Sequence, residues 1–200
     1  MLEGMTPQVE VSAWDVSLFH ALNRDFGPAV DGLLRFFHGP RSAVLCSAGL
    51  LVYCLWKWRG RAGPVILAAV LATVAMDVVG ARVLKPTLGR TRPCYALPPG
   101  SFRQVVPATN SGALPSLHAA NWFAAVTPVA VAAPATAPVL LGLAALAGLT
   151  RVVAGVHWPS DVLWGALLGV LMGLLASGLV RLLARWWRAR SQAMAAPPTG

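Results

Sequence analysis

The sequence predicts an all-α protein, a polytopic transmembrane helical bundle. Three observations carry that reading. Of its 200 residues, 56% are hydrophobic and only 12% charged, against about 25% charged in soluble domains. Five apolar runs alternate with polar links. Lys and Arg gather in particular links, as they do where loops meet a membrane surface. The formal net charge of +9 would also suit a nucleic-acid binder. The long apolar runs favour lipid instead, so no nucleic-acid partner is expected. A single domain is expected at this length: interfacial helices over residues 1–40, a transmembrane core over 41–187 and a mobile tail over 188–200.

The N-terminal segment lacks the basic start and apolar run of a cleaved signal peptide. Residues 11–23 put Val11, Trp14, Leu18, Phe19 and Leu22 near one helix face, interrupted by Asp15 and His20. Residues 26–38 carry Asp31 and Arg35 among apolar side chains. Both read as amphipathic helices lying on the membrane; the alternative is a sixth crossing. The five firm spans are 42–56, 63–84, 117–131, 137–153 and 162–183. The first is short for a bilayer that takes roughly 20 residues.

Lys57, Arg59 and Arg61 follow the first span, and Arg181, Arg185, Arg188 and Arg190 close the last. Five spans bring both groups to one side, which the positive-inside rule makes cytoplasmic. Trp56, Trp58, Trp186 and Trp187 stand beside these charges as interfacial anchors. Cys46, Cys54 and Cys94 have neither zinc-ligand nor redox spacing.

The opposite side collects a set of residues with chemistry in it. Lys85 ends the second span and Arg92-Pro93 follows; Pro115-Ser116-Leu117-His118 precedes the third; Thr150-Arg151, His157 and Asp161 precede the fifth. Arg and Lys bind phosphate oxygens. Two helix N-termini, with Ser116 as N-cap and Pro159 in the first turn, add N–H groups that favour anions. One neutral imidazole can attack phosphorus while a protonated one supplies the leaving group's proton. A carboxylate beside the attacking ring would fix its tautomer. One helical turn brings His157 and Asp161 together. No metal or cofactor is expected, because the surrounding cations would repel one.

At these residues the chain resembles the type 2 phosphatidic acid phosphatase (PAP2) superfamily, membrane lipid phosphatases related to vanadium haloperoxidases. The pattern Lys, six residues, Arg-Pro matches Lys85 to Arg92-Pro93. The pattern Pro-Ser-Gly-His appears as Pro115-Ser116-Leu117-His118. The pattern Ser-Arg, five residues, His, three residues, Asp appears as Thr150-Arg151, His157 and Asp161. The resemblance implies that His157 is the nucleophile, that Asp161 orients it, and that His118 protonates the leaving group and then activates water. It implies that Lys85, Arg92, Arg151, Ser116 and the Leu117 backbone bind the phosphoryl oxygens. Leu117 stands for the family Gly and Thr150 for the family Ser; neither change removes a catalytic group.

Several residues stay open between roles. Arg90 and Arg103 touch headgroups or pyrophosphate, or are solvated, with solvation favoured for Arg103. Asp77 either supports Lys85, two turns along one face, or pairs with Arg82 or between helices. Asn121 supports the site or joins helices. Trp158 packs or shapes the pocket. The expected activity is hydrolysis of a phosphomonoester or diphosphate of a lipid at the outer face of a bacterial inner membrane. Undecaprenyl diphosphate leads the candidates, before phosphatidylglycerol phosphate, phosphatidic acid and lipid A 1-phosphate. The alternatives are phosphotransfer to an acceptor alcohol and non-catalytic transport of a phospholipid or polyprenyl phosphate.

Overall fold

A computed structural model describes residues 9–195. Among these residues every regular element is a helix: α1 (Ala13–Leu22), α2 (Pro28–His38), α3 (Pro40–Trp58), α4 (Gly63–Val79), α5 (Lys85–Leu88), α6 (Pro93–Ala96), α7 (Leu117–Ala132), α8 (Ala137–Val153) and α9 (Pro159–Ala195). A π-helical turn, Gly80–Leu84, joins α4 to α5, and short 3₁₀ turns precede α4 and α8. The five apolar runs fold as α3, α4 with the π turn, α7, α8 and α9, within a few residues of their expected ends except that α9 runs twelve residues past 183. The chain is an all-α transmembrane helical bundle.

Among the described residues, three stretches are long and apolar enough to cross a membrane: Gly63–Ala96, Pro134–Val153 and Pro159–Met194. The apolar α7 has 16 residues, roughly 24 Å of helix against a hydrocarbon core of roughly 30 Å. It can be short because it lies at the centre, packed against α4, α8 and α9. Along α9, Gly165, Gly169 and Gly173 recur every four residues. A Cβ on any of them would press on Ser116 O, Ala120 O or Thr127 respectively. Small residues let backbones approach closely where lipid supplies no hydrophobic drive between helices. The core is accordingly built of Ala68, Ala72, Ala120 and Ala124. Leu163, Leu167, Leu171 and Leu174 of α9 and Val70, Val74 and Val78 of α4 face outward. Large apolar side chains outside and small ones inside are what a lipid solvent favours.

Two expectations are corrected. Trp14 and Leu18 are expected to share a face with Phe19, but α1 turns Phe19 and Asp15 inward and leaves Trp14 and Leu18 exposed. An apolar pattern cannot tell a lipid-facing stripe from a core-facing one. Residues 188–195, expected in a mobile tail, continue α9 as helix; Arg, Ala, Gln and Met there are good helix formers. Residues 196–200 of that tail, and 1–8 of the N-terminal segment, lie outside the described residues.

Candidate active site

Each helix delivers its residue to one end of the bundle, opposite the Lys57–Arg61 turn and the far end of α9. The π turn stands directly before Lys85. Its wider turn rotates the start of α5 about the helix axis. The buried Lys85 reaches across to donate from Nζ to Gly112 O at 2.7 Å. Asp77 accepts from Asn121 Nδ2 at 3.0 Å, a bond between α4 and α7; neither the Lys85 nor the Arg82 pairing forms. Arg92 is held on three sides. Nε donates to Ser111 O (3.0 Å), Nη1 to Val156 O (3.0 Å) and Nη2 to Thr109 Oγ1 (3.2 Å). Gly155, at φ +83° and lodged against Arg103 O, makes the turn out of α8 that carries His157.

The ring of His157 has a defined tautomer. Nδ1 lies 3.3 Å from Asp161 Oδ2, and Nε2 lies 3.0 Å from Arg92 Nη1. A carboxylate only accepts and a guanidinium only donates. The proton therefore sits on Nδ1, and Nε2 carries the lone pair. Burial pushes the His157 pKa down to about 4, against the raising effect of Asp161, with Arg92 and Arg151 adding to the lowering. Asp161 is fully buried. Its Oδ2 also accepts from Trp158 N (2.8 Å) and its Oδ1 from Arg90 Nη1 (2.7 Å).

His118, in the first turn of α7, is arranged differently. Its Nε2 is buried without a hydrogen-bond partner, as are Ser116 Oγ and Arg151 Nε. Ser116 occupies the N-cap position as expected, but its hydroxyl makes no capping bond. Its N–H donates to Asp161 O at 2.9 Å, tying α7 to α9. Arg151 Nη1 donates to His38 Nδ1 at 2.8 Å. Leu117 is the first helical residue of α7, so this position requires no positive φ. Its side chain fills the space beside Gly80, where a Cβ would collide with it.

Lys85, Arg92, Leu117, His118, Arg151 and His157 line one cavity of about 460 Å³, together with Thr109, Ser111 and Gly112. Asp161 and Ser116 stand behind it. All eight expected site residues thus converge. The lining has three cations and two imidazoles and, among the described residues, no carboxylate; it suits an anion. A second cavity of about 690 Å³, lined by Leu50, Tyr53, Trp122, Val126 and Leu143 among others, shares His118 with the first.

Four further residues escape sequence reasoning. Thr109 and Ser111, in a loop without periodicity or motif, brace Arg92, and His38, at the end of the amphipathic segment 26–38, braces Arg151. Asp15 stands in the sequence only as an interruption of α1. It is 0% exposed, and Arg90, 4% exposed, joins it to Asp161 at 2.5 and 2.7 Å. Arg90 is therefore buried in ion pairs, not solvated. Arg103 pairs with Asp31 through both Nη atoms (2.6 and 2.5 Å), so the solvated reading favoured for it is also corrected. Trp158 packs edge-on against Phe19 at 5.2 Å and donates to Thr91 O.

A helical membrane bundle with a cationic pocket and a tautomer-fixed histidine defines a class, the membrane phosphatases. Within that class the chain belongs to the PAP2 superfamily, whose sequence profile matches residues 65–185. The chain is similar to the crystal structure of Aquifex aeolicus LpxE, with 26% identity and a TM-score of 0.66 over 85% of this chain and 98% of that one. It shares its fold with a transmembrane PAP2-type phosphatidylglycerolphosphate phosphatase from Bacillus subtilis, at 22% identity and a TM-score of 0.63 over 84% of each chain. The bacitracin transport permease protein BcrC of Bacillus licheniformis is 29% identical over 128 residues, 64% of this chain and 61% of that protein.

Proposed function

We propose that this protein hydrolyses a phosphomonoester or diphosphate of a membrane lipid through a phosphohistidine on His157. The observation that carries the reading is the tautomer of His157, whose Nε2 lone pair borders a cavity lined by Lys85, Arg92 and Arg151. In the first step Arg92 Nη1 turns from Nε2 to a phosphoryl oxygen, the freed Nε2 lone pair attacks phosphorus, and the bond from phosphorus to the leaving oxygen of the lipid breaks. Protonated His118 gives its proton to that oxygen, and Asp161 stabilises the positive charge on His157 through Nδ1–H. Lys85, Arg92 and Arg151 hold the phosphoryl oxygens, with Ser116 Oγ and the Leu117 N–H as further donors. In the second step His118 takes a proton from water, the oxygen attacks phosphorus, and the P–N bond breaks. Inorganic phosphate leaves, and both histidines return to their starting state.

The lipid nature of the substrate is supported by the apolar cavity that meets the cationic one at His118, which offers space for a hydrocarbon chain beside the leaving oxygen. The positive-inside rule makes the end bearing Lys57, Arg59, Arg61 and Arg181–Arg190 cytoplasmic, so the pocket opens to the outer face of the membrane, a bacterial inner membrane on this reading. Undecaprenyl diphosphate is the first substrate to try, then phosphatidylglycerol phosphate, phosphatidic acid and lipid A 1-phosphate.

The test is phosphate release by purified protein in detergent with EDTA, against those four lipids, with His157→Ala in parallel. Release from one lipid, abolished by the substitution, is expected. Activity that disappears with EDTA and returns with a divalent metal would overturn the mechanism. Phosphate passed to an added acceptor alcohol instead of water would make the protein a phosphotransferase. A transport reading is favoured by the name of one relative, a transport permease. Lipid-phosphate movement across vesicles that survives His157→Ala would establish it.

A further inference from the structure

The side of Asp161 that faces away from His157 is tied to a helix outside the family match. The matched region begins at residue 65, whereas α1 ends at Leu22. From α1, Asp15 enters the bundle and is 0% exposed. A carboxylate so placed must be paired to remain charged. Asp15 Oδ2 accepts from Arg90 Nη2 at 2.5 Å and from Ser160 Oγ; Oδ1 accepts from Ser160 N at 2.9 Å. The last of these satisfies a free N–H in the first turn of α9, a capping bond made from another helix. Arg90 Nη1 in turn donates to Ser160 Oγ (2.5 Å) and to Asp161 Oδ1 (2.7 Å). The contact of Phe19 with Trp158 holds α1 one turn further along.

We infer that Asp15 is a positioning residue for the nucleophile, acting through Arg90 and Ser160 on Asp161, and that α1 is thereby part of the catalytic machinery. This rests on the phosphohistidine reading above. The physical reason is charge. Asp15, Arg90 and Asp161 together carry one net negative charge. Without Asp15 the remaining pair is neutral, and Arg90 is drawn wholly to Asp161. The carboxylate that must stabilise a positively charged His157 is then already neutralised by a buried guanidinium. Asp15 shares Arg90, so that Asp161 is not paired wholly with it, and fixes the start of α9 that carries Asp161. Asp15 itself touches neither the cavity nor a phosphoryl group, so its loss acts on the rate of phosphoryl transfer and not on substrate binding.

The experiment compares Asp15→Asn with Asp31→Asn. Both remove a carboxylate of the N-terminal helices paired with an arginine. Asp31 binds only Arg103, which has no link to Asp161. With the lipid hydrolysed by the wild type, Asp15→Asn is expected to lower kcat by about ten- to a hundredfold, the magnitude known for the outer partners of metal-bound histidines. KM is expected to stay within about twofold, since binding groups are untouched. Asp31→Asn is expected to lower the melting temperature and leave kcat of the folded enzyme unchanged. An unchanged kcat for folded Asp15→Asn, or equal losses in both variants, would overturn the inference. If Asp15→Asn does not fold, Ser160→Ala decides: a severalfold lower kcat supports the relay, and wild-type kcat overturns it. Should the wild type release no phosphate, or His157→Ala remain active, the underlying reading fails and not merely the role of Asp15.

Discussion

The two walls of the cationic cavity are built on opposite principles. On the wall formed by α9, the turn before it and the link between α5 and α6, His157, Asp161 and Arg92 are held by hydrogen bonds from several directions, and Arg90 leaves only Nε unpaired. On the wall formed by α7 and α8, His118 Nε2, Ser116 Oγ and Arg151 Nε are buried without partners. The first wall fixes a tautomer and an angle before any substrate arrives. The second holds polar atoms without a protein partner, free to bond a molecule that enters the cavity. A buried polar atom left unsatisfied costs about 1–3 kcal/mol, so the second wall withholds stability that a phosphoryl group can return. A nucleophile has to be oriented in advance, whereas oxyanion donors serve best when their bonds form with the substrate.

The comparison breaks most visibly at His157. His157→Ala is expected to lower phosphate release by at least about ten-thousand-fold, as loss of a covalent nucleophile does; single-turnover assays would measure it. Asp161→Asn should cost about a thousand- to ten-thousand-fold in kcat. It should also lower the melting temperature, because Trp158 N, Arg90 and His157 all bond to that carboxylate. Across the cavity, His118→Ala should cost about a hundred- to ten-thousand-fold in kcat without lowering the melting temperature, since no bond to Nε2 is lost. A melting temperature that falls as far as in Asp161→Asn would remove the distinction between the walls.

Acidity sharpens the contrast. His157 acts as a neutral nucleophile with a folded pKa near 4, so the acid limb of kcat/KM should fall as pH drops through that value, while the need for protonated His118 gives a second fall on the alkaline side. The depressed pKa also means that the folded state favours the neutral ring. Its contribution to stability is complete above about 6.5, the ordinary histidine value, and is lost as pH falls toward 4. A pH–rate profile and denaturation midpoints over the same range would test both. The smallest expected effect is at Ser116. Ser116→Ala removes an unpaired hydroxyl and should raise stability by about 1 kcal/mol while reducing kcat modestly. A destabilised variant would mean that the hydroxyl is bonded in the resting protein.

Much of this is legible in the chain. The apolar runs foretell each long helix, because hydrophobic length is a local property. The eight candidate site residues follow from their residue types on one predicted face together with the resemblance to the family pattern, and His157 and Asp161 lie within a single helical turn. Asp15 is not legible. Its partners Arg90 and Ser160 are 75 and 145 residues away, and a lone carboxylate in an amphipathic helix looks like a solvated one. The glycine series of α9 is a readable signal of close helix packing, set at the spacing of one helical turn. Asp77 stays open in the sequence because its partner Asn121 is 44 residues away on α7.

The sequence alone determined the solvent, the helices and the chemical inventory, since hydropathy and residue type are properties of each segment. The tertiary structure decided the pairing: which histidine is held and which is free, and that Asp15 lies behind Asp161. Those outcomes depend on side chains from α1, α7 and α9 meeting in a low-dielectric interior. There an unpaired charge is costly enough to select one arrangement, and no local pattern in the chain encodes which distant partner will be present.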